Sequence, residues 1–443
     1  MMREADHHRS NAKGKALLTL MCVIAFVISV QLASLAQEKQ TKDARQYAQF
    51  AVKAYQAKDY AAFLENMKQA LSLRPTHQTY MYNLAVAYAL VGNKKEALAW
   101  LRQGAEMELV YPADKDGDFH SIKDTAEFKA ILKKIESNRQ PIVKSTTALV
   151  VHEKGLVPES IAYDPQTETF YLSSVYKRKI LSIDRKGEAR EFATRADGLW
   201  SVMGMKVDAT RRLLWVCTAA HPQMEGYREE ENGRSGIFKY DLRSGKLVKK
   251  YLLSNQPKAH WLGDLVLDSR GDVFATDSIS PAIYKIAREK DELELLIEGE
   301  PFVSPQGLDL TADEKHLVMA DYSKGIFVID LQTKRYLNLA PPPASTLLGI
   351  DGLYRYKDTL VAVQNGVNPQ RLVRLYLNKR FDQVLRVEIM EANHPLFDEP
   401  TLGVLVKDTF YYIANSQWGA IDQKGQLAST EKLREPVVLK VKL

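Results

Sequence analysis

Short runs of apolar and β-branched residues, separated by polar turns, fill the chain from about residue 146 to its C-terminus. The clearest unit is Pro158–Asp184, PESIAYDPQTETFYLSSVYKRKILSID. The first of its three apolar runs ends at Asp164, and the other two span Thr169–Ser173 and Lys179–Ile183. Each run predicts a short β-strand. Weaker copies of the unit begin at Val202, Leu262, Pro305, Gly349 and Glu399.

The six units align at one shared position near the beginning of their first strand. That position is occupied by Glu159, Met203, Gly263, Gln306, Asp351 and Thr401, at intervals of 43 to 60 residues. Repeats of about this period with several short strands each predict a six-bladed β-propeller, whose innermost strands surround a channel. The side chains at the shared position are then expected to gather at one end of the channel. An ordinary β-sandwich with coincidental spacing is the alternative.

The two ends of this β-rich region are also expected to meet. Thr146–His152 predicts a first strand, and residues 436–443 predict a last one. A ring closes without a covalent link when one blade combines strands from both termini. We therefore expect these two strands to share a blade of a propeller that spans residues 146–443.

Residues 42–135 predict a separate α-helical domain. Two segments match at a shift of 34 residues, which pairs Phe50 with Leu84 and Met67 with Leu101. This is the tetratricopeptide period, and the repeats resemble that family. A helix at Thr125–Ile135 is expected to cap the two repeats, and residues 136–145 to link them to the propeller.

The N-terminal residues 1–36 predict an export signal. A polar, basic beginning is followed by the apolar run Ala16–Val30 and by small residues that end at Ala36. An uncleaved membrane anchor is the alternative. The protein is thus expected in the periplasm or outside the cell, with the membrane as a partner only if the segment is retained. After cleavage Cys217 is the single cysteine, so no intramolecular disulfide forms and Cys217 is expected to be a small buried side chain.

Charge and motifs exclude several function classes. The formal net charge of +6 is small for 443 residues and is not clustered, so nucleic acid is not an expected partner. GxSxG, HExxH, Walker and GxGxxG motifs are absent from the sequence. The chemistry is therefore expected at the shared position of the blades.

The shared position carries three side chains that could bind a metal ion, namely Glu159, Gln306 and Asp351. Two carboxylates and an amide oxygen are hard ligands, which suit Ca²⁺ or another oxygen-preferring divalent cation. Without a cation the two carboxylates would repel each other. Asp264 lies one residue beyond the shared position of its blade. The alternative is that these polar side chains simply line a wet channel.

At these residues the chain resembles the SMP-30/gluconolactonase/LRE-like six-bladed propellers, over about residues 149–443. The carrying motifs are PESIAYD, PQGLDLTAD and IDGLY. The resemblance implies that Glu159, Gln306 and Asp351 bind one divalent cation, and that Asp351 is the catalytic base of lactone hydrolysis. Gln306 replaces the family's Asn, and Gly263 stands where the family has a further Asn. Asp264, Met203 and Thr401 are the predicted substrate contacts.

The sequence thus predicts an exported, mainly β protein that holds a divalent metal cation (Ca²⁺ first, with Zn²⁺ or Mg²⁺ as alternatives) and hydrolyses a small-molecule lactone or ester. The alternative function is a non-catalytic module in which the propeller and the tetratricopeptide-like repeats both bind proteins or ligands in the cell envelope, with the repeats as the site for a protein partner. The insertion His221–Gly236 is expected to form either a lid over the channel mouth or a passive surface loop.

Overall fold

The structure is a computed structural model that describes residues 43–443. The predicted export signal or anchor at residues 1–36 lies outside the described residues. Within them, no helix combines the length and the apolar character needed to cross a membrane. The chain divides into two compact units, and the boundary between them lies between Leu73 and Arg74.

In the first unit, the described residues form a pair of helices, α1 (Ala44–Gln56) and α2 (Tyr60–Leu73). Helix α1 begins at a capping box in which Asp43 and Gln46 each accept a hydrogen bond from the backbone N–H of the other. The two helices pack against each other, and the edge of the Tyr55 ring meets Phe63 with ring centroids 5.3 Å apart.

The second unit begins with three further helices, α3 (Gln78–Leu90), α4 (Lys94–Glu106) and α5 (Ala126–Asn138). Helices α3 and α4 form a second pair, so each 34-residue repeat of the sequence corresponds to one helix pair. Helix α5, predicted at Thr125–Ile135, is capped at its beginning by the Thr125 side chain and packs against α4. The Asn138 side chain donates hydrogen bonds to Ala105 O, in the last turn of α4, and to Leu109 O, in the segment that follows the helix.

The rest of the second unit consists of six four-stranded antiparallel sheets. After β1 (Thr146–Val150), the strands of blade one are β2 (Ile161–Asp164), β3 (Thr169–Ser174), β4 (Lys179–Ile183) and β5 (Ala189–Ala193), and those of blade two are β6 (Ser201–Asp208), β7 (Leu213–Ala219), β8 (Ser235–Asp241) and β9 (Leu247–Leu253). Blade three has β10 (Leu262–Leu267), β11 (Val273–Asp277), β12 (Ala282–Ile286) and β13 (Leu293–Glu298), and blade four has β14 (Pro305–Leu310), β15 (His316–Asp321), β16 (Gly325–Asp330) and β17 (Tyr336–Asn338). Blade five has β18 (Gly352–Tyr356), β19 (Thr359–Gln364), β20 (Arg371–Leu377) and β21 (Val384–Ala392), and blade six has β22 (Gly403–Val406), β23 (Thr409–Ile413) and β24 (Val437–Lys442) together with β1.

The innermost strands β2, β6, β10, β14, β18 and β22 contact one another in sequence, and β22 contacts β2, so the ring is closed. Blade six joins the two ends of this region, since β1 pairs with β24 from Thr146 opposite Lys440 to Val150 opposite Val437. This confirms the six-bladed propeller and its predicted closure, and the β-sandwich alternative is wrong.

Apolar side chains fill the space between each pair of neighbouring blades. Cys217 lies fully buried in the cluster between blades two and three, which confirms its prediction as a small buried side chain. One buried ion pair joins blades one and two, where Arg212 Nη2 lies 2.6 Å from Asp164 Oδ2. Packing therefore stabilises the ring.

The helices of the second unit are bonded to blade five. Buried Arg371 donates to Gln364 Oε1 at 2.6 Å and to Met107 O, just beyond the end of α4, at 3.2 Å. The segment 139–145, predicted as part of a linker, runs along the same blade. Within it Ile142 pairs with Ala392, and the side chain of buried Glu391 accepts hydrogen bonds from backbone N–H groups of the segment.

Candidate functional site

The shared position of the blades lies where the innermost strands pair irregularly. In blades two, three and four the inner strand shifts register within the stretches 202–205, 262–265 and 305–308, which contain Met203, Gly263 and Gln306. In blades one, five and six the strand begins after the shared position, so Glu159, Asp351 and Thr401 precede it. Irregular pairing of this kind reorients side chains and is frequent beside functional sites.

Two glycines allow the inner strands to approach closely at this end. A Cβ added to Gly307 would lie 2.5 Å from both Asp351 O and Leu353 N. A Cβ added to Gly204 would lie 2.7 Å from the Cα of Asp264. Because no side chain fits at such distances, glycine is required for adjacent blades to bring their shared positions together. Gly307 N also donates to Asp351 O at 2.7 Å.

Each of the three predicted metal ligands is tethered by one of its two polar atoms. Glu159 Oε2 accepts a hydrogen bond from Trp418 Nε1 at 2.8 Å, and Asp351 Oδ2 accepts one from Asn365 Nδ2 at 2.8 Å. Gln306 Nε2 donates to Ser304 Oγ at 3.2 Å. Within residues 43–443, no hydrogen bond reaches Glu159 Oε1, Asp351 Oδ1 or Gln306 Oε1, and none of these oxygens is fully enclosed. Three oxygens on three fixed side chains are thus available.

Glu159 and Asp351 are both buried, and the charge of Asp351 acts on Glu159. Their exposed fractions are 6% and 9%. Burial, followed by the negative charge of Asp351, raises the pKa of Glu159 well above its usual range. Burial, followed by the charges of Glu399 and Asp264, raises the pKa of Asp351 to about 7, although the Asn365 hydrogen bond opposes the shift. This end of the channel therefore favours either protons or a bound cation.

The predicted substrate contacts have different surroundings. Asp264 is buried 3.4 Å from Lys206 Nζ, and its Oδ2 has no hydrogen-bond partner among the described residues. Met203 belongs to the apolar cluster between blades two and three. Thr401 is buried, and its hydroxyl has no hydrogen-bond partner within residues 43–443. Gly263 faces Gln306, whose Oε1 would lie 3.6 Å from an added Cβ.

The structure adds four residues that the sequence reasoning missed. Tyr322 O–H donates to Asn365 Oδ1 at 3.0 Å, which orients the amide whose Nδ2 bonds to Asp351. Glu399 has a raised pKa because of burial and the charge of Asp398, while the backbone N–H of Trp418 lowers it. Tyr322 and Asn365 each come directly after the second strand of their blade, so that recurring position was the available signal for these two. Trp418 lies five residues after the end of β23 and does not share that position.

The insertion His221–Gly236 also contributes to this end of the propeller. His221 lies 5.7 Å from Trp418 between ring centroids. Glu225 N donates to Tyr176 O of blade one at 2.9 Å. The segment predicted as a lid or a passive loop thus contacts the ring of Trp418, which bonds to Glu159, and is hydrogen-bonded to blade one.

The donor set at this end fits a hard divalent cation. Within residues 43–443, no group of three or more His, Cys, Asp or Glu side chains is arranged to hold a metal ion. The candidate set has only two carboxylates, and its third oxygen belongs to the Gln306 amide. Ca²⁺ takes about six to eight oxygen ligands, so water and substrate oxygens would supply the remainder. The hydrogen bonds to Glu159, Gln306 and Asp351 are of the kind that orients metal ligands.

No protein-family model and no curated protein matches this sequence. Among solved structures, a gluconolactonase from Xanthomonas campestris is similar with 13% identity and a TM-score of 0.44, and the match covers 68% of this chain and 93% of the other. A luciferin-regenerating enzyme is similar with 14% identity and a TM-score of 0.45, over 69% of this chain and 96% of the other. A virginiamycin B lyase from Staphylococcus aureus is similar with 15% identity and a TM-score of 0.43, over 67% of this chain and 98% of the other. At such low identities and scores, the function has to be inferred from the residues of this chain.

Proposed function

We propose that the propeller binds one divalent cation through Glu159, Gln306 and Asp351, and that it hydrolyses a small lactone or a related ester. Ca²⁺ is the proposed cation, with Zn²⁺ and Mg²⁺ as alternatives. The observation that carries the proposal is the arrangement of three tethered side chains, each with one oxygen free of hydrogen bonds. Two of these side chains are buried carboxylates with raised pKa values, and a bound cation would neutralise their negative charges.

The proposed reaction is the attack of water on the lactone carbonyl. A cation bound at this site would polarise that carbonyl and stabilise the negative charge that develops on its oxygen. Asp351 is the proposed general base, which accepts a proton from the attacking water. The bond between the carbonyl carbon and the ring oxygen then breaks, and the proton passes from Asp351 to that oxygen, which becomes the hydroxyl of the product hydroxy acid. Asn365 and Tyr322 position Asp351 through the hydrogen bonds described above. Trp418 has the same positioning role for Glu159.

The family of the propeller, the type of the helical repeats and the export of the protein are proposed from the sequence. The propeller is proposed to belong with the SMP-30/gluconolactonase/LRE-like proteins because of its motifs and its six blades. The two helix pairs are proposed to be tetratricopeptide-like repeats because their sequences match at a shift of 34 residues. The protein is proposed to be exported because of the composition of residues 1–36.

The test of the function is hydrolysis of a panel of aldonolactones and aromatic lactones by the metal-free protein, with Ca²⁺, Zn²⁺ or Mg²⁺ added separately. We expect hydrolysis of at least one lactone only when a cation is present, and its loss on addition of a chelator. Asp351→Ala should lower kcat by about 100-fold or more, which is typical for removal of a general base. No hydrolysis with any cation, or equal rates for the wild type and Asp351→Ala, would refute the enzyme assignment.

A further inference from the structure

Aromatic residues from three different loops meet beside Glu159. His221 follows β7, Trp261 precedes β10 and Trp418 follows β23. The His221 ring stacks on Trp261 with centroids 4.3 Å apart, and Trp261 lies 6.3 Å from Trp418. Because Trp418 also bonds to Glu159, this aromatic rim (His221, Trp261 and Trp418) borders the candidate site directly.

His221 is buried, so it supports the Trp261 ring by stacking on it and adds no charge to the rim. Burial lowers the pKa of His221 to about 3, so the ring is neutral near pH 7. Its Nδ1 accepts a hydrogen bond from Gln223 N at 3.2 Å, so the proton of the neutral ring is carried by Nε2. The stacking of His221 and Trp261 is therefore a contact between two uncharged rings.

The aromatic rim packs on the buried apolar cluster that lies beneath the shared position of blade two. Trp261 and Trp418 are half-buried and pack on the cluster that contains Met203 and Val157. Met203 occupies the shared position of blade two. The polar members of that position in blades four and five are Gln306 and Asp351. The site thus combines a flat apolar side with a polar side that carries oxygen ligands.

The shared position of blade three leaves room between these two sides. A Cβ on Gly263 would meet only Gln306 Oε1 within 4 Å, at the ordinary contact distance of 3.6 Å. Gly263 also offers no side-chain amide or hydroxyl. Hydroxyl groups of a sugar-like ligand would therefore lose their water on this side and find few partners, which disfavours their binding.

We propose that the aromatic rim is a substrate subsite for an aromatic ring fused or joined to the reacting lactone, and that it selects such lactones over polyhydroxylated ones. This inference rests on the proposed function, since it names the substrate class of the same site. The flat ring would stack on Trp261 and Trp418, and the lactone carbonyl would face the oxygens of Glu159, Gln306 and Asp351.

The test compares Trp261→Leu, which removes the flat ring, with Trp261→Phe, which keeps one. Within residues 43–443 no hydrogen bond joins Trp261 to Glu159, Gln306 or Asp351, so both variants should keep the Ca²⁺-induced rise in thermal stability of the wild type. We expect the ratio of kcat/KM for dihydrocoumarin to that for glucono-1,5-lactone to fall about tenfold in Trp261→Leu and about threefold or less in Trp261→Phe. Gly263→Asn, whose Cβ would meet only Gln306 Oε1 at 3.6 Å, adds a side-chain amide and should move the ratio towards the sugar lactone.

Calorimetric binding of 3,4-dihydroquinolin-2-one, the lactam that corresponds to dihydrocoumarin, separates the subsite from the chemistry. If the wild type hydrolyses no lactone but binds the lactam at least tenfold more tightly than Trp261→Leu, the enzyme assignment fails and the aromatic subsite stands. If the wild type hydrolyses glucono-1,5-lactone and Trp261→Leu changes neither the ratio nor lactam binding, the subsite is refuted and the enzyme assignment stands. Loss of folding in Trp261→Leu would show as loss of the Ca²⁺-induced rise in thermal stability. Gly263→Asn is then the deciding variant: a kcat/KM ratio that moves towards glucono-1,5-lactone supports the subsite, and an unchanged ratio refutes it.

Discussion

Removing the charge of Asp351 should make the metal-free protein more stable, although it removes a proposed functional group. The Asp351 carboxyl is buried near Glu159, and its pKa rises from an ordinary 3.8 to about 7. The folded protein therefore holds this proton more tightly than the unfolded chain does. As the pH increases from about 4 to about 7, the stability of the metal-free protein falls, because the folded state must release the proton or bury a charge. Asp351→Asn has no such proton to release.

The magnitude follows from the two pKa values. A carboxyl with pKa values of 3.8 unfolded and about 7 folded changes the free energy of unfolding by about 3 kcal/mol between pH 5 and pH 8. The free energy of unfolding is measured by urea denaturation in the presence of a chelator, for Asp351→Asn and for the wild type. The value for Asp351→Asn minus the value for the wild type should be about 3 kcal/mol larger at pH 8 than at pH 5. With saturating Ca²⁺ the wild type should recover stability at pH 8, and Asp351→Asn should not.

Asp164→Asn is the matched control, because Asp164 is also a buried aspartate but is paired with Arg212 Nη2 at 2.6 Å. This variant should be less stable than the wild type at pH 8, since it leaves the guanidinium without its partner. The reasoning is refuted if Asp351→Asn is destabilising at pH 8 without metal, or if its difference from the wild type is the same at pH 5 and pH 8.

Three further predictions concern the tether of the base and the assembly of the second unit. Asn365→Leu, which removes the donor to Asp351, should lower kcat for the best lactone about tenfold or more and leave the far-UV circular dichroism spectrum unchanged. Arg371→Met should reduce the free energy of urea unfolding by about 2 kcal/mol or more, because two buried acceptors lose their donor. Arg371→Lys should recover only part of that loss. Deletion of residues 437–443 should abolish the cooperative thermal transition, since β24 joins β1 to the rest of blade six. A normal transition in the truncated chain would contradict this account of ring closure.

The blade architecture was predictable because each blade repeats the same pattern of strands and turns. The period identified six units, and the alignment of their first strands selected Glu159, Gln306 and Asp351 without any structural information. The ring then carries acids that are far apart in sequence to one end of the channel, where the charge of Asp351 raises the pKa of Glu159.

The residues that orient these acids could not be predicted in the same way. Trp418 and Asn365 lie in loops after the second strands of their blades, and loop conformation depends on neighbours that a linear pattern does not show. The aromatic rim also depends on the insertion that brings His221 against Trp261. The attachment of the helices to blade five includes buried Arg371, a charged residue that would ordinarily be expected at the surface, and hydrogen bonds of Gln78 and Val110 to Asn368.

Isothermal titration of Ca²⁺ into the metal-free protein at pH 8 tests the central claim most directly. We expect one site per chain, with binding at least about tenfold weaker in Glu159→Gln, Gln306→Ala and Asp351→Asn. Binding should be unchanged in Asp309→Asn, since Asp309 is a carboxylate on the inner strand β14 whose oxygens accept backbone hydrogen bonds from Leu310 and Arg355. No binding of Ca²⁺, Zn²⁺ or Mg²⁺ by the wild type, or equal affinity in the wild type and the three variants, would contradict the proposed site.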